Sequence, residues 1–434
     1  MTRRIAAWAA PFPALRRWQE QLLNRQLSEL WERSDFLRAL WEAAGFKNAP
    51  VAGDLGELPL VAKDDIRRSL EAGFLGSHLA WPRDGVAHIH ATAGTSGRPT
   101  YFGLSARDYA AWLEIFVRGF QLCGAKPGDL VLQAFAMSRG YAGGVPMVDA
   151  FRSMGCPVLP MGAESGSARL CDALHRLRPI LLYASPSMSR HLADRFAEET
   201  GEQSQSSSLR LIITGGEPGA GDPASKRILG EPWGAEVREA GGGSDICPLM
   251  WAECPVQDGL HFVAGDEVLF ELIDPGSGQP IEIEDDASGE IVYTHLRRDA
   301  SPLVRMRHAD IVTVSTSLCP CGLGSPRIKF VGRADDMLIV RGVKIFPSAL
   351  QAVVSQFAPR LSGALAIRRS RSLAQEGPLR VVCEWDEGEG GDALSASFEE
   401  RARALLGVRV RCELTPPGSL GQEGRQKAVW MLDD

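Results

Sequence analysis

The middle of the chain constrains the fold most. Between residues 86 and 216, short aliphatic and β-branched runs alternate with stretches of helical periodicity. VAHIHA, LVLQAFA, CPVLPM, PILLYAS and LRLIITGG read as buried strands, and DYAAWLEIFVRGFQLCG and SMSRHLADRFAEET read as helices. Such alternation predicts an α/β fold with a largely parallel sheet, because parallel neighbours need a crossover between them. The flanking regions differ. RRWQEQLLNRQLSELWERSDFLRALWEAAG carries apolar residues at three-to-four spacing and predicts helix ending at Gly45. From about Asp266, EVLFELIDP, GEIVYTHL and DIVTVS are short strands joined by turns, which predicts a β-rich subdomain over about 262–332. After Gly332 the pattern changes again, to MLIVRGVKIF, a helix from Pro347, LRVVCEWD, the helix ALSASFEERARALLG and VRVRCEL. The expected division is a large N-terminal domain, 1–332, and a small α+β domain, 333–434.

Composition narrows the function. The 434 residues carry a net charge of -7 with 23% charged residues, and no basic stripe that would mark a nucleic-acid binder. No apolar run approaches the ~18 residues of a membrane span. Pro11 and Pro13 interrupt the basic, partly apolar start, so a secretory leader is not expected and the chain is read as cytoplasmic. Nine cysteines then point to free thiols or a metal site rather than a disulfide framework.

One loop stands out. ATAGTSGRPT, residues 91–100, follows a strand-like run. Gly94 and Gly97 allow close backbone approach, and Thr92, Thr95, Ser96 and Thr100 supply hydroxyls, so the loop can wrap phosphate oxygens. It does not match the G-x-x-x-x-G-K-[ST] pattern, and the same composition also fits a plain polar turn.

This loop resembles the phosphate loop of adenylate-forming enzymes, the superfamily of acyl-CoA synthetases, luciferases and peptide-synthetase adenylation domains. GGEPGAG at 215–221, GEIVYTHLRRDASPLVRMRHAD at 289–310 and GRADDMLIVRGVKIFPSAL at 332–350 look like the phenylacetate–coenzyme A ligase branch, in order and over nearly the whole chain. The resemblance implies an ATP-dependent aryl-CoA ligase. A small aromatic acid of the benzoate, anthranilate or phenylacetate class becomes acyl-AMP with release of pyrophosphate, and coenzyme A displaces AMP. An acceptor other than coenzyme A, either a carrier-protein thiol or an amine, stays open, as does a non-catalytic nucleotide-binding homologue. Family members are often dimers.

The resemblance also implies roles. Thr92–Thr100 would hold the phosphates. Gly215, Gly216, Glu217 and Pro218 would line the adenine pocket. In Gly241-Gly242-Gly243-Ser244-Asp245 the family has an aromatic, Gly, a variable residue, a hydroxyl residue and Glu, so Gly241 replaces the aromatic and Asp245 is the expected Mg²⁺ carboxylate. Asp310 would hold the ribose hydroxyls, with Ala309 where Arg is common. Arg333, Asp335 and Asp336 would form the hinge of a rotating small domain, and Arg341, Gly342 and Lys344 would face the coenzyme A side. Phe135, Tyr141, Gly143 and Gly144 would wall the acyl pocket. The family's C-terminal lysine is displaced: Arg425 takes its aligned place, Lys427 lies two residues on, and the two cations are not equivalent. Finally, Cys254, His261, Cys319 and Cys321 make three thiols and an imidazole, a set suited to structural zinc, and part of the same branch looks similar there.

Overall fold

The structure, a computed structural model, describes residues 7–92, 99–217, 220–334, 338–340, 343–369, 374–375, 377–386, 388, 390–420 and 431–433. The predicted N-terminal helix is two helices, α1 (Phe12–Arg33) and α2 (Asp35–Ala43). Ser34 divides them: its extended backbone ends α1, and its hydroxyl accepts from Leu37 N to start α2. A short helix follows, α3 (Lys63–Ser69).

Strands β1 (Val86–Ala91) and β2 (Tyr101–Ser105) pair antiparallel in a hairpin of their own. VAHIHA is therefore not a buried strand of the parallel sheet. Its residues alternate between half-covered and exposed until His90 and Ala91, the period-two pattern of a strand covered on one face.

Helix α4 (Ala106–Cys123) opens on a reciprocal cap, in which Ser105 Oγ accepts from Asp108 N and Asp108 Oδ2 accepts from Ser105 N. Its stripe of Trp112, Ile115, Phe116, Phe120 and Cys123 is buried. At roughly 1.5–3 kcal/mol for each large side chain, that burial outweighs helix propensity as the reason α4 forms.

Among the described residues the main sheet has 12 strands. Its parallel half comprises β3 (Val131–Gln133), β4 (Val158–Pro160), β5 (Leu181–Tyr183), β6 (Leu211–Thr214) and β7 (Glu236–Gly243), in spatial order β7-β6-β5-β3-β4. Strands β3, β5 and β6 are wholly buried, as strands covered on both faces must be. β4 lies at the sheet edge and is partly exposed, so CPVLPM is an edge strand and not a buried one.

The other half comprises β8 (Cys247–Glu253), β9 (Leu260–Phe262), β10 (Val268–Ile273), β11 (Pro280–Ile281), β12 (Ser288–His295), β13 (Met306–Ser315) and β14 (Arg327–Arg333). β7 belongs to both halves, parallel to β6 and antiparallel to β8. The strands of 262–332 thus continue a sheet that has already turned antiparallel.

Beyond β14 a separate core forms from Val340, Leu350, Val354, Ile367, Val381, Phe398 and Val410, among others. It is built on helices Pro347–Val354 and Gly391–Leu406 and on strands Leu361–Arg369, Leu379–Trp385 and Val410–Thr415. This unit touches the large one where Ser355 Oγ meets Ser225 Oγ at 3.2 Å and where Ser348 Oγ donates to Val331 O.

Candidate active site

In parallel sheets, ligands gather at the carboxyl ends of the strands. There the chain leaves β3 toward Phe135, β5 at Tyr183 and β6 toward Gly215. A cavity opens between these ends, lined by Phe135, Tyr141, Gly143, Met147, Tyr183, Gly215, Gly216, Ala240, Gly242, Ser244 and Pro248. It brings together three of the four residues expected on the acyl wall and four of those expected around the nucleotide. Gly144 lies behind the wall, where an added Cβ would sit 2.8 Å from Ala136 O. Met147, Tyr183 and Pro248 were not anticipated, and each stands in a run that reads simply as core.

Close approach explains the glycine at 215. An added Cβ would lie 1.9 Å from Ala240 O, so the loop after β6 can pass β7 only without a side chain. Glu217, the next polar residue, accepts from Ser187 N at 2.8 Å and from Ser187 Oγ. Pro218 lies outside the described residues. Glu239, two positions before Gly241, is a carboxyl that sequence reasoning missed. Burial, with Glu253 adding to it and Lys226 opposing, pushes it up to about 7.

The phosphate loop is described only at its base. Thr92 N donates to Thr100 O at 2.9 Å, and the two threonine hydroxyls meet at 3.0 Å. Gly94, Thr95, Ser96 and Gly97 lie outside the described residues. Ala91 N donates to Gly140 O at 2.8 Å, which ties the strand entering the loop to the acyl wall. His90 Nε2 pairs with Ser244 O at 2.8 Å, which ties it to the glycine-rich segment.

Beside that segment runs a chain of charged groups. Asp245 is 3% exposed. Its Oδ2 lies 3.4 Å from Lys63 Nζ and 3.5 Å from His308 Nε2, and its Oδ1 has no hydrogen-bond partner. His308 Nδ1 lies 3.1 Å from Asp310 Oδ2, and Arg333 Nη1 donates to Asp310 Oδ1 at 3.0 Å. Burial works against charge on Asp310, yet the hydrogen bond and charge of His308, with Arg333 and Lys63, hold its carboxyl below the ordinary value. A bulge sets the aim: Glu290 pairs with Ile311 but Val292 pairs with Arg307, so the 308–310 stretch of β13 leaves the ladder with β12. Lys63 and His308 had no local signature, since one comes from the first turn of α3 and the other from a bulge. Arg333, expected at the hinge, stands opposite Asp310 in the β13–β14 register. Asp335, Asp336, Arg341, Gly342, Arg425 and Lys427 lie outside the described residues, and Lys344 lies on the short strand Val343–Ile345.

A second constellation lies at the antiparallel end. The ligand atoms of Cys254, His261, Cys319 and Cys321 all fall within 4.8 Å of one another. Cys254 Sγ and Cys319 Sγ are 3.9 Å apart, and Cys321 Sγ is 3.4 Å from His261 Nε2. Zn–S bonds of about 2.3 Å would put tetrahedral sulfurs roughly 3.8 Å apart, so the set fits a four-coordinate metal. Ser325 Oγ, 3.0 Å from His261 Nδ1, fixes which ring nitrogen faces the thiols. The other six cysteines are buried singly or in the core, as packing residues.

No family model matches the chain. The phenylacetate–coenzyme A ligase of Thermus thermophilus is 28% identical over 98% of this chain and 97% of its own. Among solved structures, 2-hydroxyisobutyryl-CoA ligase in its postadenylation state superimposes with a TM-score of 0.88 at 28% identity, over 100% of this chain and 94% of that one. The same ligase in its thioesterification state gives 0.70 at 30% identity, over 98% and 91%. Sequence and fold agree over the full length, and the chain belongs to the adenylate-forming superfamily, in its phenylacetate–coenzyme A ligase-like branch.

Proposed function

We propose that this protein is an ATP-dependent aryl-CoA ligase. The observation that carries the reading is the single cavity in which Phe135, Tyr141 and Tyr183 meet the glycine segments 215–216 and 242–244. Aromatic walls suit a flat ring, and the glycine backbones let a nucleotide lie against it. In the first step a carboxylate oxygen bonds to the α-phosphorus of ATP, the α–β bridging bond breaks and pyrophosphate leaves. In the second, the coenzyme A sulfur bonds to the acyl carbon and AMP departs. ATP and coenzyme A are cytoplasmic metabolites, which supports a cytoplasmic site of action.

Asp310 accepts the ribose hydroxyls in this reading, and His308 and Arg333 keep it ionised for that purpose. Lys63, beside Asp245, brings positive charge to the phosphate end. The buried, unpartnered Oδ1 of Asp245 fits a hard divalent cation. When bound, Mg²⁺ neutralises phosphate charge there. The closing cation is assigned to Lys427, with Arg425 as the other candidate, and the segment from Arg333 through Asp335 and Asp336 acts as the hinge that brings Arg341, Gly342 and Lys344 to the coenzyme A side. The closer likeness to a postadenylation state than to a thioesterification state supports a small domain that takes more than one position. Zinc, held by Cys254, His261, Cys319 and Cys321, is structural.

The test is ATP–pyrophosphate exchange over a panel of aryl acids, followed by coenzyme A-dependent AMP formation. Exchange with at least one acid, abolished in Lys427→Ala, is expected. Exchange that survives Lys427→Ala and is lost in Arg425→Ala moves the closing cation to Arg425. No exchange with any acid in folded protein overturns the ligase reading.

A further inference from the structure

The cavity is not uniformly apolar. Tyr141 and Tyr183 both line it; Tyr183 is buried and Tyr141 partly buried. The Tyr183 ring is fixed by the core, with Phe135 at 4.4 Å, Phe120 at 5.4 Å and Phe151 at 5.7 Å between centroids. The Tyr141 hydroxyl reaches toward the nucleotide side, 3.7 Å from where a Cβ on Gly216 would stand. Among the described residues neither hydroxyl makes a hydrogen bond, and neither is sealed off from the cavity it lines. Burial pushes both phenols up, so each stays neutral and able to donate as well as accept.

An unsubstituted ring filling this cavity would displace water from both hydroxyls and give nothing in return, which leaves buried polar groups unpaired. A ring bearing a hydroxyl or amino group would satisfy them. Sites built to hydrogen-bond a substrate group discriminate strongly against the analogue that lacks it. We propose that the acid activated by this chain carries a hydroxyl or amino group on its ring, and that Tyr141 and Tyr183 are the residues that select it. This rests on the aryl-acid ligase reading above.

The experiment compares kcat/KM for coenzyme A-dependent AMP formation with benzoate and with the ring-hydroxylated and ring-aminated benzoates. It uses the native chain, Tyr141→Phe, Tyr183→Phe and the double variant. The best substituted acid is expected to exceed benzoate by roughly tenfold or more in the native chain, with that ratio shrinking in at least one single variant and further in the double variant. Benzoate matching the best substituted acid in the native chain overturns the proposal. So does a ratio unchanged in both single variants, a comparison that stands even if the double variant does not fold. Turnover without discrimination refutes the selection by tyrosine alone, whereas no turnover of any acid refutes the ligase reading beneath it.

Discussion

Gly243 has no room for a side chain. An added Cβ would lie 1.9 Å from His308 Cε1, and that imidazole stands between two site carboxylates. Gly243→Ala is therefore expected to push the ring out of line, at roughly 1–3 kcal/mol of strain. The measurement is pyrophosphate exchange against thermal stability: activity should fall at least about tenfold with a melting shift of only a few degrees. Unchanged exchange would remove His308 from the site. Glu239 gives a second residue-scale prediction. Its folded value, about 7, lies above the ordinary 4.5, so the folded chain holds a proton there that the unfolded chain has lost. That favours the folded state less and less as pH rises from about 4.5 to 7. Glu239→Gln should make stability gain more, or lose less, between about pH 4.5 and 7 than in the native chain in denaturant titrations, and a curve of unchanged slope would contradict the assignment.

At the scale of elements, what could be read in advance was what local spacing encodes. The strands ending at Tyr183 and Thr214 and the helix of residues 106–123 follow from short-range pattern. Pairing partners do not. Nothing in VAHIHA says that its neighbour is the strand after the phosphate loop, and nothing in the 236–243 run says that it faces a parallel strand on one side and an antiparallel one on the other. Lys63 and His308 were invisible for the same reason: they reach the site through the start of a helix and a bulge, far apart in sequence. The thiol–imidazole set joins three such elements, the end of β8, strand β9 and the 319–325 turn. Chelation, or Cys321→Ser, is expected to remove about one zinc per chain and lower the melting temperature, because metal-binding free energy becomes folding free energy. Elemental analysis with calorimetry checks both, and full stability in metal-free protein would reduce the cluster to free thiols.

Across the whole molecule, acid sensitivity has a defined origin. Burial holds His78 at about 4 and His90 at about 3, and burial with the Arg298 charge holds His295 well below its ordinary 6.5. At these three rings the folded chain binds fewer protons than the unfolded one below about pH 6.5, a loss of stability that outweighs the opposite contribution of Glu239, so stability should fall as pH drops from there toward 4. Equilibrium unfolding at stepped pH measures this, and a flat profile over that range would mean that these rings are solvated. A last consequence follows from Arg333, the final residue of β14. Its guanidinium holds the carboxylate assigned to ribose, and its backbone leads directly into the small unit. Whatever occupies Asp310 therefore bears on the strand end from which the small unit hangs. In the proposed reading, departure of the nucleotide would loosen the ribose carboxylate and the strand end beside the small unit together, because one arginine joins them, like a latch whose catch is the ligand.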